Sequence, residues 1–238
     1  ATLNYLVTLD TELAVTRVRA IRDRGVGPPR HPSPIVGFED CRLARFDGRW
    51  WATATVRDRS PDFRAQVALL GLQGRTVESV RVLDPGRGTE HEKNWMPFVT
   101  DAGLHVVYSV SPTVVYRLDP ATGSLDLVID EPGPVEAIGL RGGSGGIPFD
   151  GGYLFVAHEV RHGPRGRDYV HRFVQLGPDL RVLALSDPFC FQGPGIEFCA
   201  GLAPHRDGYV LSFGRDDRSA WLALVGAESL RKLLRPVV

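Results

Sequence analysis

Four stretches of this 238-residue chain set charged side chains beside aromatic or glycine residues at recurring intervals. Glu39-Asp40 stands just ahead of Arg42, and Glu92-Lys93-Asn94-Trp95 follows; Arg141-Gly142-Gly143-Ser144 and Ile196-Glu197-Phe198 come later. A carboxylate can act as general acid or base when its surroundings bring its pKa near the working pH. On an extended strand Glu39 and Asp40 point to opposite faces, so only one of them faces a cavity that the strand lines. Arg42 shares the face of Asp40 and can pair with it. A structural ion pair that closes the strand uses the same residues, and spacing does not separate the two readings.

In the second stretch Lys93 and Trp95 share one strand face, with Glu92 and Asn94 on the other. An indole beside an ammonium suits a sugar, because the ring packs on C–H faces and the cation reaches hydroxyls or phosphate. The competing reading has Trp95 filling the core while Lys93 snorkels outward. Arg141 is the candidate anion clamp of the third stretch. The glycines after it could cradle an anion, but the Gly-Lys-Ser/Thr ending of a P-loop is missing, and a turn is the simpler role for Gly145-Gly146. His158-Glu159 ends an apolar run and sets an imidazole at a cavity mouth, though a lone histidine is more often structural, whereas Tyr169, His171 and Arg172 read as shell or surface. Glu197, flanked by Ile196 and Phe198, is either channel-facing, and then the applicant for a second channel carboxylate, or paired. Asp216-Asp217 closes a strand, where it could hold sugar hydroxyls or equally be an ordinary loop.

The elements that must position these residues are strands. Short runs rich in Val, Tyr, Phe and Leu lie at 50–56, 67–72, 104–110, 114–118, 153–158, 169–176, 209–213 and 221–225, separated by turn signals such as Asp47-Gly48 and Asp150-Gly151. Helical spacing occurs only at 227–234. Counted from Phe38, Glu92, Arg141 and Ile196, the four polar stretches begin 54, 49 and 55 residues apart, and each is followed by a turn and two further strands. A period near ~40–50 residues with about four strands per unit marks propeller blades, in which first strands line an axial channel. Residues 2–21 read as two strands with no polar stretch before them, the outer half of a further blade. The expectation is an all-β, five-bladed β-propeller, residues 1–238, with its first blade incomplete at the N-terminus and a longer polypeptide around it.

Composition narrows the partners. Lys+Arg and Asp+Glu are 28 each, which gives no field to draw nucleic acid or an anionic membrane. Lys93 and Lys232 are the only lysines. Cys41, Cys190 and Cys199 have no metal-ligand spacing, so neither a metal site nor a disulfide is expected. No apolar run is long enough to span a bilayer, and the chain opens on a strand-like segment, which fits a cytoplasmic protein.

Taken in order, the motifs resemble those of glycoside hydrolase family 130, the β-mannoside phosphorylases and β-1,2-mannosyltransferases, from about residue 34 to 225. Gly37-Phe38-Glu39-Asp40-Cys41-Arg42 stands where the family has Gly-x-Glu-Asp-Pro-Arg, and Ala157-His158-Glu159-Val160 is similar to its Tyr-His-Gly-Val. Glu197-Phe198-Cys199-Ala200-Gly201 and Ser212-Phe213-Gly214-Arg215-Asp216-Asp217 resemble its Glu-x-x-Gly and Tyr-Tyr-Gly-Ala-Ala-Asp segments. Glu92 to Phe98 also resembles a branch with Glu-Lys-Asn-Trp-x-Pro-Phe, in which an Asn-Pro-Ser strand precedes the Asn-Tyr that Asn4-Tyr5 would continue. Cys41, Glu159 and Ser212-Phe213 depart from the family pattern. The resemblance implies an inverting enzyme, without a cofactor, that makes or breaks a β-linked hexoside such as a mannoside. Asp40 inherits proton donation through a substrate hydroxyl. Arg141, His158 and Lys93 would hold phosphate or the phosphate of a sugar donor, and Glu39, Arg42, Asn94, Trp95, Glu197 and Asp217 would hold sugar. A non-catalytic sugar-binding propeller attached to a glycosyltransferase is the alternative.

Overall fold

The computed structural model describes residues 1–163 and 166–237. The chain divides into two compact units, Ala1–Lys93 with Asp119–Leu125, and Asn94–Leu118 with Asp126–Val238. In the first, β1 (Tyr5–Leu9) and β2 (Val15–Ala20) form an antiparallel hairpin. A five-stranded sheet follows: β3 (Arg22–Asp23), β4 (Glu39–Phe46), β5 (Arg49–Val56), β6 (Gln66–Gln73) and β7 (Thr76–Val82), in the order β3-β7-β6-β5-β4. Asp47 and Gly48 both take positive φ between β4 and β5, the conformation a two-residue hairpin turn requires. Ala52, Ala54, Val56, Ala68, Leu70 and Val77 bury one face of this sheet against Phe38 and Val80.

The second unit holds three sheets. Strands β8 (Met96–Thr100), β9 (Gly103–Ser109), β10 (Thr113–Leu118) and β11 (Leu125–Glu131) make a four-stranded meander. Next come β12 (Arg141–Gly142), β13 (Ile147–Phe149), the long pair β14 (Gly152–Gly163) and β15 (Gly166–Leu176), and β16 (Val182–Ser186). The last sheet is β17 (Glu197–His205), β18 (Gly208–Arg215) and β19 (Ser219–Gly226). Helix α1 (Ala227–Leu233) then leads to β20 (Leu234–Pro236), which pairs with β16. Among the described residues no helix is long and apolar enough to cross a membrane.

Every strand read from the sequence is present, and the helix stands at the expected place with its last residue turned into β20. The outer strands β7, β11 and β16 were not among those runs. Glu78 and Arg81 interrupt β7, and five residues of β11 (Leu-Asp-Leu-Val-Ile-Asp-Glu) are exposed or carry charge, so neither shows an apolar run. The meander sheets have the build of propeller blades, which bears out the all-β class.

The first strand of the middle sheet of the second unit is broken into β12 and β13, and the glycines around the break answer to packing. A β-carbon on Gly142 would lie 1.8 Å from the carbonyl oxygen of Asn94, and one on Gly143 would lie 2.4 Å from that of Val156 and 3.0 Å from that of Cys199. One on Gly146 would strike the Phe155 ring at 2.2 Å. First strands of three consecutive sheets therefore approach one another at Gly142-Gly143. Buried Ser144 bridges the break: its N–H donates to Val156 O at 2.9 Å, and its Oγ accepts from Val156 N at 2.9 Å. Ser144→Ala removes that acceptor and strands a buried N–H, so it should lower unfolding free energy by about 1–3 kcal/mol, read from the midpoint of urea denaturation at unchanged slope.

Candidate functional site

In the first unit the chemistry gathers at the start of β4. Register with β5 jumps there: Glu39 faces Thr55 and Arg42 faces Thr53, so Asp40 and Cys41 together oppose one residue. This is a β-bulge, which re-aims side chains and bends the strand. Asp40 takes φ +52°, a left-handed conformation that non-glycine residues seldom adopt, and its side chain is exposed. The bulge also corrects the expected ion pair. Buried Arg42, 1% exposed, donates through Nη1 to the main-chain oxygen of Asp40 at 2.7 Å, so it holds the backbone and offers no surface to a sugar. Glu39 is half-buried, with Arg57 Nε 3.9 Å away.

Other charges cluster at the end of β5. Asp58 is buried 3.5 Å from Arg30, and the buried Arg59 donates to Pro28 O and lies 3.8 Å from Asp23. The run Arg57-Asp58-Arg59, directly after an apolar strand, was visible in the sequence but carried no repeat to single it out. Lys93 is exposed, and the Glu92 before it is anchored by its N–H to Ala65 O at 2.8 Å and by Thr89 Oγ1. A cleft of about 430 Å³ among Phe46, Arg49, Trp51, Glu78 and Arg81 lies at the β4–β5 turn end of the sheet and holds none of the expected residues. The three cysteines are free thiols, and burial pushes the Cys41 thiol up to about 11, well away from nucleophilic use.

In the second unit Arg141, His158 and His171 face one another across β12, β14 and β15 and so share one sheet face. Arg141 is exposed, as an anion clamp must be. His158 differs from expectation: β14 runs on to Gly163, so the imidazole lies inside the wall, 2% exposed. It stacks on Tyr169 (5.0 Å, 4° between planes) and meets Phe198 edge-on at 5.3 Å. Behind it His171 is wholly buried among Phe189 and Phe191, which corrects its reading as shell or surface. Nothing in the sequence distinguishes it from a surface histidine until its register opposite His158 is known.

The other expected sugar ligands separate. Trp95, 1% exposed, packs on Tyr108 at 5.3 Å, so the core reading of this indole holds and its faces are closed to a ligand. Asn94 takes φ +63° and presents its carbonyl to Gly142. Glu197 is completely buried, accepting from the N–H groups of Phe191 (2.7 Å) and Gln192 (2.8 Å) and from Arg215 Nη1 (2.5 Å). With both oxygens occupied it anchors the Phe191-Gln192 loop, so the paired reading holds for it, and the channel-facing reading and the sugar-binding role that the resemblance implied are corrected. Arg215, the cation that fixes it, was missed; it lies in cross-strand register with Glu197. Asp217 is exposed in the β18–β19 turn at φ +52°.

Neither a protein-family model nor a curated protein sequence matches this chain. Solved structures do. A β-1,2-mannobiose phosphorylase from Listeria innocua, in complex with β-1,2-mannobiose, aligns over 83% of this chain and 60% of its own at 16% identity, TM-score 0.59. A putative glycoside hydrolase from Bacteroides ovatus aligns over 82% and 70%, at 16% identity and TM-score 0.54. A third comes from work on glycoside hydrolases of family 130 that target β-1,2-mannosidic linkages in Candida mannan; it aligns over 89% and 72%, at 14% identity and TM-score 0.54. This chain thus spans about three fifths of the Listeria protein. At these identities the likeness shows the fold, that of propeller glycoside hydrolases and phosphorylases.

The buried histidine has a measurable consequence. Burial lowers the pKa of His171 from 6.5 to about 4, offset only in part by the Glu197 charge and by main-chain groups of Glu197 and Phe189. Its ring nitrogens make no hydrogen bond of ordinary geometry. Unfolding restores the higher value, so the unfolded chain binds the proton first. The stabilising contribution is complete above pH 6.5 and is lost as pH falls towards 4. Between pH 7 and pH 5 this group should cost the wild type about 2 kcal/mol of unfolding free energy. A His171→Phe variant should lack that slope when urea denaturation is repeated at the two pH values.

Proposed function

We propose that this chain is a carbohydrate-active enzyme that makes or breaks a β-linked mannoside with inversion, in a five-bladed propeller to which the β1–β2 hairpin contributes the outer half of one blade. The observation that carries the reading is Asp40: an exposed acid on a left-handed bulge at the head of a first strand, its main chain gripped by a buried arginine. Strained conformations of this kind persist where surrounding structure imposes them and gather at functional sites. The fold shared with a β-1,2-mannobiose phosphorylase supports the substrate class.

In the degradative direction Asp40 supplies a proton, through a substrate hydroxyl, to the glycosidic oxygen. The bond from that oxygen to the anomeric carbon breaks, with its electron pair leaving on the oxygen. A phosphate oxygen attacks the anomeric carbon from the opposite face, so a β-mannoside yields α-mannose 1-phosphate and the freed sugar. Synthesis runs the same steps backwards, with Asp40 taking the proton from the acceptor. In the first unit Lys93 is an exposed cation suited to phosphate; in the second, Arg141 is exposed at the start of the row that continues to the buried His158. Asp217 is assigned to sugar hydroxyls. Glu197, with both oxygens engaged, is not available as the second carboxylate that an inverting hydrolase uses to activate water.

The test uses β-1,2-mannobiose with inorganic phosphate, following release of mannose 1-phosphate. Asp40→Asn should keep the fold and sugar binding while turnover falls by about 10²–10⁴-fold. An Asp40→Asn protein with normal turnover removes Asp40 from the reaction. Wild-type protein that binds the disaccharide in calorimetry without turning it over is instead a sugar-binding module.

A further inference from the structure

Asp40 cannot hold its own bulge, and the residues that hold it come from a distant part of the chain. Segment 36–41 is tied to residues 2–4 at successive points. Thr2 N donates to Val36 O at 2.7 Å, and Gly37, at φ +108°, leaves room for the carbonyl of Thr2, which would lie 3.1 Å from a β-carbon there. The Asn4 side-chain amide then reaches across the bulge. Its Nδ2 donates to Phe38 O at 3.0 Å on one side of Glu39-Asp40 and to Cys41 Sγ at 3.7 Å on the other. Asn4 is itself anchored, since its carbonyl accepts from Ile21 N at 2.8 Å. Arg42 completes the grip on the far side through Asp40 O.

Packing contributes on one side of the segment, where Phe38 is buried in the core of the sheet and Cys41 packs against it. Between the hairpin and the sheet lies a largely apolar cavity of about 200 Å³, with Asn4, Tyr5, Leu6, Phe38 and Cys41 in its wall. Apolar packing has little directional preference, so the amide of Asn4 supplies oriented contacts at both flanks of the bulge. The Cys41 thiol is protonated at neutral pH, and a short side chain with two amide hydrogens suits a carbonyl and a sulfur at once.

We propose that Asn4 is a positioning residue for Asp40: it sets the left-handed bulge from both flanks and thereby the aim of the carboxylate in proton transfer. This rests on the assignment of Asp40 as proton donor. Asn4 touches no reacting atom, so its loss misaligns the acid without removing a substrate contact. A misalignment of this size acts on kcat and leaves KM in place.

The experiment compares wild type, Asn4→Leu, Asn4→Asp, Leu6→Ala and Asp40→Asn in phosphorolysis of β-1,2-mannobiose with inorganic phosphate, with thermal unfolding measured on each. Asn4→Leu removes the donors at similar volume; Asn4→Asp keeps the shape and turns an oxygen on Phe38 O. Both should lower kcat by about 10–100-fold with KM within twofold. Leu6→Ala enlarges the same cavity without touching the bulge and should lower the unfolding temperature while kcat stays within twofold. If Asn4→Leu misfolds, Asn4→Asp supplies the same reading. Asp40→Asn inactive with either folded Asn4 variant at wild-type kcat overturns the positioning role alone. Leu6→Ala as slow as the Asn4 variants also overturns it, since the effect is then one of stability. An Asp40→Asn protein at full rate, or wild type without turnover, overturns the assignment of Asp40 and this proposal with it.

Discussion

The first strands of three successive sheets run so close that no methyl group can stand between them. The carbonyl of Asn94 faces Gly142, the carbonyl of Cys199 faces Gly143, and neither glycine could carry a side chain without displacing main chain. Much of the second unit follows from that approach. The strand carrying the glycines cannot continue as a regular ladder, so it breaks into β12 and β13, and Ser144 supplies from its side chain the acceptor that a strand carbonyl would have supplied. Arg141, one residue before the contact, is left at the exposed start of the row that continues through His158 to His171.

Behind that row the unit excludes water from polar groups and must answer for each of them. Glu197 is satisfied by two N–H groups and a guanidinium, an arrangement that tolerates a buried charge because each of its oxygens is engaged. His171 is handled the other way, kept neutral by aromatic surroundings that give its ring no good partner. One neighbourhood therefore holds a carboxylate whose charge is compensated and an imidazole whose charge is suppressed. His158, opposite His171 in the ladder, lies flat against Tyr169, with its ring plane set by stacking.

The strands could be read from the sequence because their inner and middle members are apolar runs between Asp-Gly and Gly turns, and local chemistry suffices for that. Outer strands such as β11 are half exposed and charged, so their pattern resembles loop until a neighbouring strand supplies hydrogen bonds. At the site, residue type identified the places but not the orientation. Glu39-Asp40-x-Arg42 was legible as a polar first-strand motif, yet an alternating strand pairs Arg42 with the Asp40 carboxylate, and the bulge gives Arg42 the carbonyl instead. Trp95 and Glu197 carry the same chemistry whether they line a cavity or fill a core; burial decided against both, and burial depends on neighbours dozens of residues away. The roles of Asn4 and His171 rest on contacts with segments 34 and 13 residues distant in sequence, which spacing does not reveal.

Asp40 and Glu197 show how one side-chain type is assigned to opposite ends by what its surroundings hold. At Glu197 the contacts end on the carboxylate, so both oxygens are consumed and the residue stabilises a loop. At Asp40 the contacts end on its own carbonyl oxygen and, at its flanks, on Phe38 O and Cys41 Sγ, and the carboxylate stays exposed. A left-handed aspartate costs about 1–2 kcal/mol relative to an extended one, and charge-assisted or buried hydrogen bonds of the kind Arg42 makes offset a cost of that size. Holding the backbone rather than the acid keeps the acid accessible to a ligand at a fixed aim. A carboxylate steadied by direct ion pairs would be as well placed but already occupied.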